Sequence, residues 1–193
     1  MLQDVVKERY PKYGTLRDGR PVTIRPMLAG DEAALLTFFR GIPAEDRVFL
    51  KEDVTKAAVI AAWCRDLDYG RILPLLAEAG GELVADATLH QRRAGWMRHV
   101  ASVRIVIAPA YREQGLGTLL INELIAIAEQ SDLEKMDVDL MADQEAAIAA
   151  FQSYRFEQIA VFPGHVKDLS GKNHDLVVLV RDLTSREELE TPF

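Results

Sequence analysis

At 193 residues, 49% of them apolar, the chain is long enough to bury one sizeable core without staples, and its single cysteine, Cys64, excludes an internal disulfide or a cysteine metal cluster. A net charge of −7 argues against general nucleic-acid binding, which relies on basic surface to displace counterions from phosphate. With no leading apolar run behind basic residues and no stretch of membrane-spanning length, the expectation is a cytoplasmic protein of one domain, residues 1–183, with a charged tail, 184–193, that frays.

Residues 1–13 show no clear period. Beyond them, Gly14-Thr15-Leu16 and Pro21-Val22-Thr23-Ile24 flank Arg17-Asp18-Gly19-Arg20, where the Asp-Gly pair marks a hairpin. Asp31 is placed to cap a helix in which Ala34, Leu35, Phe38 and Phe39 fall at the spacing of a buried stripe. Residues 54–67 predict a second helix with Val59, Ile60, Trp63 and Leu67 on one face, and Cys64 suits packing there. Residues 71–79 and 82–90 read as apolar strands hinged on Gly80-Gly81, and the tip 91–98 turns the second into a third, 99–107. Successive hairpins imply antiparallel pairing. Arg92, Arg93 and Arg98 beside Trp96 suit either an acidic partner or arginine stems lying over an apolar ring.

The third of these strands ends in the β-branched run Ile105-Val106-Ile107, and Pro109 stops it. Arg112-Glu113-Gln114-Gly115-Leu116-Gly117-Thr118 then opens a helix over Leu116–Glu129 whose apolar residues recur every three or four positions. A phosphate fits this place. The first N–H groups of a helix lack intrahelical partners and carry the positive end of its dipole, glycines remove obstructing side chains, and Arg112 can fork onto phosphate oxygens. A dinucleotide fingerprint would need a glycine where Leu120 stands, although Asp137 and Asp139 lie near the expected distance downstream. The Gly-Lys-Ser/Thr of a Walker loop is missing. An ordinary strand-to-helix turn would use the glycines for geometry alone. Further on, Met136, Val138 and Leu140 alternate with polar residues as a strand, Ala142-Asp143-Gln144 leads a helix over 145–154, and strands follow near 156–162 and 174–180.

Arg112-x-x-Gly115-x-Gly117 behind Ile107-Ala108-Pro109 resembles the coenzyme A pyrophosphate loop of the GNAT superfamily of N-acetyltransferases. The opening Ile24-Arg25-Pro26, Asp31 and Phe38-Phe39-Arg40-Gly41-Ile42-Pro43 is similar to bacterial Pat-type protein-lysine acetyltransferases. The resemblance covers almost the entire chain and implies an α/β (α+β) fold. Its sheet is mixed and mostly antiparallel, of about seven strands flanked by about four helices. The family's fourth and fifth strands, here 99–107 and 136–140, are splayed to admit the pantetheine arm. Acetyl-CoA is the implied co-substrate, no metal is needed, and a primary amine, either a small molecule or a protein lysine, is the acceptor. No nucleic acid or membrane partner is implied, and the oligomeric state stays open, a dimer included. By the same resemblance Arg112, Gln114, Gly115, Leu116, Gly117 and Thr118 hold the pyrophosphate. Ile105, Val106 and Ile107 offer main-chain groups to the cofactor and the oxyanion, and Gln144 stands where an asparagine contacts CoA.

Acetyl transfer from a thioester to an amine needs a neutral amine, stabilisation of the tetrahedral oxyanion and a proton for the departing thiolate. The tyrosine the family uses as acid falls on Phe151, which can line the cofactor site but cannot donate a proton, and the usual glycine nearby is Arg155. Tyr154, on roughly the same helical face, is the substitute candidate. The Pat-type glutamate falls on Ser102, which leaves His99, His90, Glu82 and Asp86 as nearby candidates for the base. His99 is taken first because histidine titrates near working pH. His165 and His174 flank the loop 164–173 without metal-binding spacing. A thiolate of pKa about 8.5 departs without much help, so water can supply the proton. Two main readings stay open: an acetyltransferase working by direct attack in a ternary complex, and a non-catalytic acyl-CoA-binding regulatory module of the same fold. A third is a structural domain with an empty groove.

Overall fold

The structure is a computed structural model that describes residues 6, 9–50 and 52–184. Its first hairpin pairs β1 (Lys12–Thr15) with β2 (Pro21–Pro26) across a turn in which Gly19 adopts φ 86°, a conformation that costs glycine nothing. A short 3₁₀ turn leads into α1 (Glu32–Gly41), and α2 (Ala44–Arg47) and α3 (Ala57–Arg65) complete the first helical layer. The strands β3 (Ile72–Ala79), β4 (Glu82–Gln91) and β5 (Val100–Ile107) follow as a meander. Next come α4 (Leu116–Glu129), β6 (Lys135–Met141), α5 (Glu145–Gln152) and the hairpin of β7 (Glu157–Lys167) with β8 (Asn173–Asp182).

All eight strands form one sheet in the order β1-β2-β3-β4-β5-β6-β8-β7, antiparallel except where β5 meets β6. Alternation along the strands sends side chains to opposite faces and so builds two cores. Leu73, Leu75, Ala85, Ala87, Leu89 and Val103 pack under α4, through Leu116, Leu120 and Leu124, and under α5 through Phe151. Leu76 and Val106 pack on the other face against Leu35, Phe38 and Phe39 of α1 and Ile60 and Cys64 of α3. Cys64 is buried as expected, and Phe39 meets Trp63 edge to face at 5.7 Å. Glu123, in the buried stripe of α4, is held by Lys12 at 2.6 Å, Arg9 at 3.0 Å and the Tyr10 hydroxyl at 3.1 Å. Burial would raise this carboxyl, but the hydrogen bonds from Lys12 and Arg9 outweigh it and hold it below its ordinary value. Among the described residues no helix is long and apolar enough to cross a membrane.

The sequence expectations hold in outline and differ in places for local reasons. The helix expected over 54–67 is only Ala57–Arg65, because Asp53 accepts from both the Thr55 N–H and hydroxyl and ties the start into a turn. Asp31 does not cap α1 with its side chain. Its carboxylate takes a bidentate Arg25 at 2.7 and 2.8 Å and the Leu28 N–H, while Arg25 also reaches Glu78. The last helix stops at Gln152, so Tyr154 lies in the following turn, where Arg155 has φ 62°. The tail expected to fray, 184–193, is described only at Thr184, whose N–H and hydroxyl bond to Asp182; the remainder lies outside the described residues.

Candidate functional site

β5 and β6 touch over three rungs only, Val100–Lys135, Ala101–Met136 and Ser102–Asp137, whereas β4–β5 and β6–β8 are each paired along seven. Beyond Ser102 the two parallel strands part. This is the splay expected from the resemblance, and it leaves residues 103–107 of β5 and 138–141 of β6 with no ladder partner across the opening.

The loop between β5 and α4, residues 108–115, closes the same end of β5. Pro109–Tyr111 form a 3₁₀ turn, Glu113 takes φ 59° and Gly115, the residue before α4, takes φ 84°. The first helical bond runs from the Leu119 N–H to the Gly115 carbonyl, so the N–H groups of Leu116, Gly117 and Thr118 point out of the helix without intrahelical acceptors. The Leu116 side chain is fully buried and anchors the turn, while Thr118 is exposed. Gly117 faces Ile107: a β-carbon there would sit 3.5 Å from Ile107 Cδ1.

Three arginines surround this loop, two of which the sequence reading did not place here. Arg17 donates its N–H to the Gln114 carbonyl at 3.0 Å and its guanidinium to the Glu113 carbonyl at 3.4 Å. Arg20 reaches the Ala110 carbonyl at 3.0 Å and stacks over Tyr111. Nothing in the Asp-Gly hairpin signal says where its tip will dock. Arg112 donates Nε to the Ile107 carbonyl at 3.1 Å and Nη2 to Asp46 of α2 at 2.5 Å, so its guanidinium bridges the loop to the helical layer on the other face.

The remaining candidates are dispersed. Ile105 and Ile107 pack toward the α4 layer and Val106 toward α1. Gln144 turns its side-chain oxygen back to the Met141 N–H at 2.9 Å, at the end of the splayed part of β6. Phe151 is buried edge to face against Phe156 at 5.0 Å. The Tyr154 hydroxyl accepts from Asn122 at 3.1 Å between α4 and the turn after α5. The His99 carbonyl takes the Glu134 and Lys135 N–H groups at the paired end of β5, about 26 Å of strand from Ile107 at ~3.3 Å per residue. His99 and the loop are therefore not brought together.

On the α1/α3 face of β4 and β5, Asp86 is buried and accepts from Thr88 at 3.0 Å and from Arg104 Nη2 at 2.9 Å. Arg104 lies over Trp63, and its Nε is buried with no hydrogen-bond partner. Next to this face, at the open end of β6, is a cavity of about 360 Å³ lined by Phe49, Leu50, Asp139, Met141, Lys167 and Leu176 among others. A larger cavity of about 460 Å³ sits at the other end of β6, ringed by Glu129, Lys135, Arg155, Arg181 and Asp182, at the opposite end of α4 from Leu116. No group of three or more His, Cys, Asp or Glu side chains able to hold a metal occurs among the described residues.

His174 fastens the β7–β8 hairpin beside this opening. Its Nδ1 lies 2.7 Å from Asp143 and its Nε2 3.0 Å from Asp168. The hydrogen bond with Asp168, joined by that with Asp143, raises its pKa above the ordinary value against some desolvation. A raised folded pKa stabilises the fold fully below the unfolded value of about 6.5, and the contribution is lost as pH climbs through the folded value. The melting-temperature gap between wild type and His174→Ala should accordingly be widest below pH 6 and narrow towards pH 9. A gap constant across that range would show that the imidazolium carries no charge-dependent share.

The sequence profile of the Acetyltransferase (GNAT) family matches residues 36–156. The Bacillus subtilis (strain 168) protein named "Putative phosphinothricin acetyltransferase YwnH" is 29% identical over 84 residues, 44% of this chain. The match spans about half, 51%, of that relative's length. The GNAT domain of S. lividans PAT superposes with a TM-score of 0.73 at 19% identity, over 89% of this chain and 96% of its own. A GNAT superfamily phosphinothricin acetyltransferase (Pat) from Sinorhizobium meliloti, solved in complex with AcCoA, gives 0.72 at 18% identity, over 88% and 94%.

Proposed function

The chain belongs to the Acetyltransferase (GNAT) family, and from that premise we propose that it moves the acetyl group of acetyl-CoA to a primary amine by direct attack within a ternary complex. The observation that carries the reading is the coincidence, at one end of β5, of an unpaired wedge between parallel strands and a nest of free N–H groups at residues 116–118. A thioester carrier with a diphosphate needs both: a slot for its arm and a positive helix end for its phosphates. In this reading Arg112, Gln114 and Gly115 shape the loop, and Leu116, Gly117 and Thr118 donate to the diphosphate. The main chain of Ile105, Val106 and Ile107 meets the arm and the developing oxyanion, and Gln144 and Phe151 border the cofactor from the α5 side. Tyr154, whose hydroxyl accepts from Asn122 and so keeps its own proton to give, is the proton donor of this reading, and His99 stays out of the reaction. One domain over residues 1–183 and a cytoplasmic location belong to the same reading.

Phe151 and Ser102, standing where the resemblance implies a tyrosine and a glutamate, favour a second reading, a regulatory module that binds acyl-CoA without turning it over. Titration calorimetry with acetyl-CoA, followed by release of CoA thiol over phosphinothricin, spermidine and a lysine peptide, separates the two. Heat with thiol release above the uncatalysed rate supports the enzyme, heat alone supports the module, and no heat at millimolar acetyl-CoA overturns both.

A further inference from the structure

The last rung between β5 and β6 joins Ser102 to Asp137. Two positions further along each strand stand Arg104 and Asp139, facing each other across the point where the strands begin to part. Alternation puts both on the same side of the sheet, the side of α1 and α3: Met136, Val138 and Leu140 belong to the α4 core, so Asp137, Asp139 and Met141 project the other way. Arg104 is already committed to Asp86 and Thr88. Asp139 is exposed and forms no ion pair among the described residues. It borders the 360 Å³ cavity, which is lined by the apolar Phe49, Leu50, Met141 and Leu176 and also by Lys167.

An amine acceptor reaches the thioester protonated at neutral pH and must lose a proton before its lone pair can attack. A carboxylate at the mouth of the wedge, on the side of the sheet away from α4, is what an arriving ammonium would meet. Resting on the proposed acetyltransferase reading, we propose that Asp139 docks the acceptor's ammonium and takes its proton, and that the acceptor is an amine of single positive charge with an apolar body.

Asp139 accepts one proton from R–NH3+, directly or through one water, and later returns it to solvent. The freed nitrogen lone pair forms the C–N bond to the acetyl carbon while the carbonyl π pair moves to oxygen. Its return to the carbonyl breaks the C–S bond, and the second nitrogen proton goes to the CoA thiolate. The products are the acetamide, CoA-SH and one proton. The apolar walls desolvate the body of the acceptor, and Lys167 repels a second cation, so a polyamine is disfavoured.

The test uses the full chain, acetyl-CoA, and 2-phenylethylamine, leucinamide and spermidine as acceptor probes. Wild type should acetylate at least one of the first two with a kcat/KM at least about 10-fold above that for spermidine. Asp139→Asn should lower that kcat/KM by at least about 100-fold, the range of general-base catalysis. It should leave the acetyl-CoA dissociation constant within about twofold and make the rate with 2-phenylethylamine, an alkylammonium of pKa about 10, climb about tenfold per pH unit from 7 to 9, as the free amine alone becomes reactive. Asp139→Glu should recover part of the loss. Normal turnover by Asp139→Asn, an unchanged pH profile, or a preference for spermidine overturns the assignment, as does a wild type that binds acetyl-CoA and acetylates neither monoamine. A wild type that fails to bind acetyl-CoA overturns the acetyltransferase reading itself.

Discussion

Glutamate in place of Gly117 should raise the acetyl-CoA dissociation constant at least about 100-fold, close to 2.7 kcal/mol, while the protein stays folded. The would-be β-carbon meets Ile107 Cδ1 at 3.5 Å, an ordinary contact, and Gly117 does not have positive φ, so neither space nor backbone forbids the change. What changes is charge. A carboxylate at the second residue of α4 would occupy the free N–H groups that the diphosphate needs and repel it, by about 4 kcal/mol for unit charges 4 Å apart at an effective dielectric of ~20. Gly117→Ala removes the charge and keeps the bulk small, and should bind within a few-fold of wild type. Calorimetry gives both constants and a thermal melt shows whether each variant is folded. Near-normal binding by the glutamate variant would mean that the amides of residues 116–118 do not receive the phosphates.

Removing Arg104 should be the most destabilising polar substitution on the α1/α3 side of the sheet. Asp86 is 1% exposed and leans on Arg104 for its only charged partner among the described hydrogen bonds. Arg104→Ala would leave that carboxylate buried with Thr88 alone, a loss of about 3–5 kcal/mol for broken buried pairs, and the low end is expected here because the Arg104 side chain keeps 24% exposure. At ~2–4 °C per kcal/mol for a chain of this size, melting should fall by roughly 6–12 °C. The double variant Asp86→Leu/Arg104→Leu should lose much less, because it removes both charges together. Urea and thermal unfolding of Asp86→Leu, Arg104→Leu and the double variant measure the coupling; additive losses would mean that the pair does not act as a unit.

Which parts of this were legible in the residues follows from how local their signals are. The helix Leu116–Glu129 is read correctly at both ends, because a three-and-four stripe begins directly after a glycine and runs unbroken. The hairpin tips at Gly19 and Gly80-Gly81 also announce themselves, since each needs positive φ. Asp31 misleads: an acidic residue just ahead of a helix reads as a cap, yet Arg25, six positions earlier, offers a stronger bidentate partner. The Asp86–Arg104 pair depends on the register of β4 against β5, which no local pattern states. The same holds for Arg17 and Arg20, whose place beside the loop before α4 is set by the order of the strands from β1 to β5. Asp139 was visible as one polar member of an alternating strand, but which side of the sheet that alternation faces becomes fixed only when α4 takes the other.

The brief contact between β5 and β6 has a consequence for assembly. Free strand edges ordinarily sit at the margins of a sheet, where they invite other chains to add on. Here two such edges lie in the interior of an eight-stranded sheet, each standing guard over the other. Their N–H and C=O groups can be served by water or by a slender guest threaded from the open end, while an intruding peptide strand would first have to pry the central ladder apart.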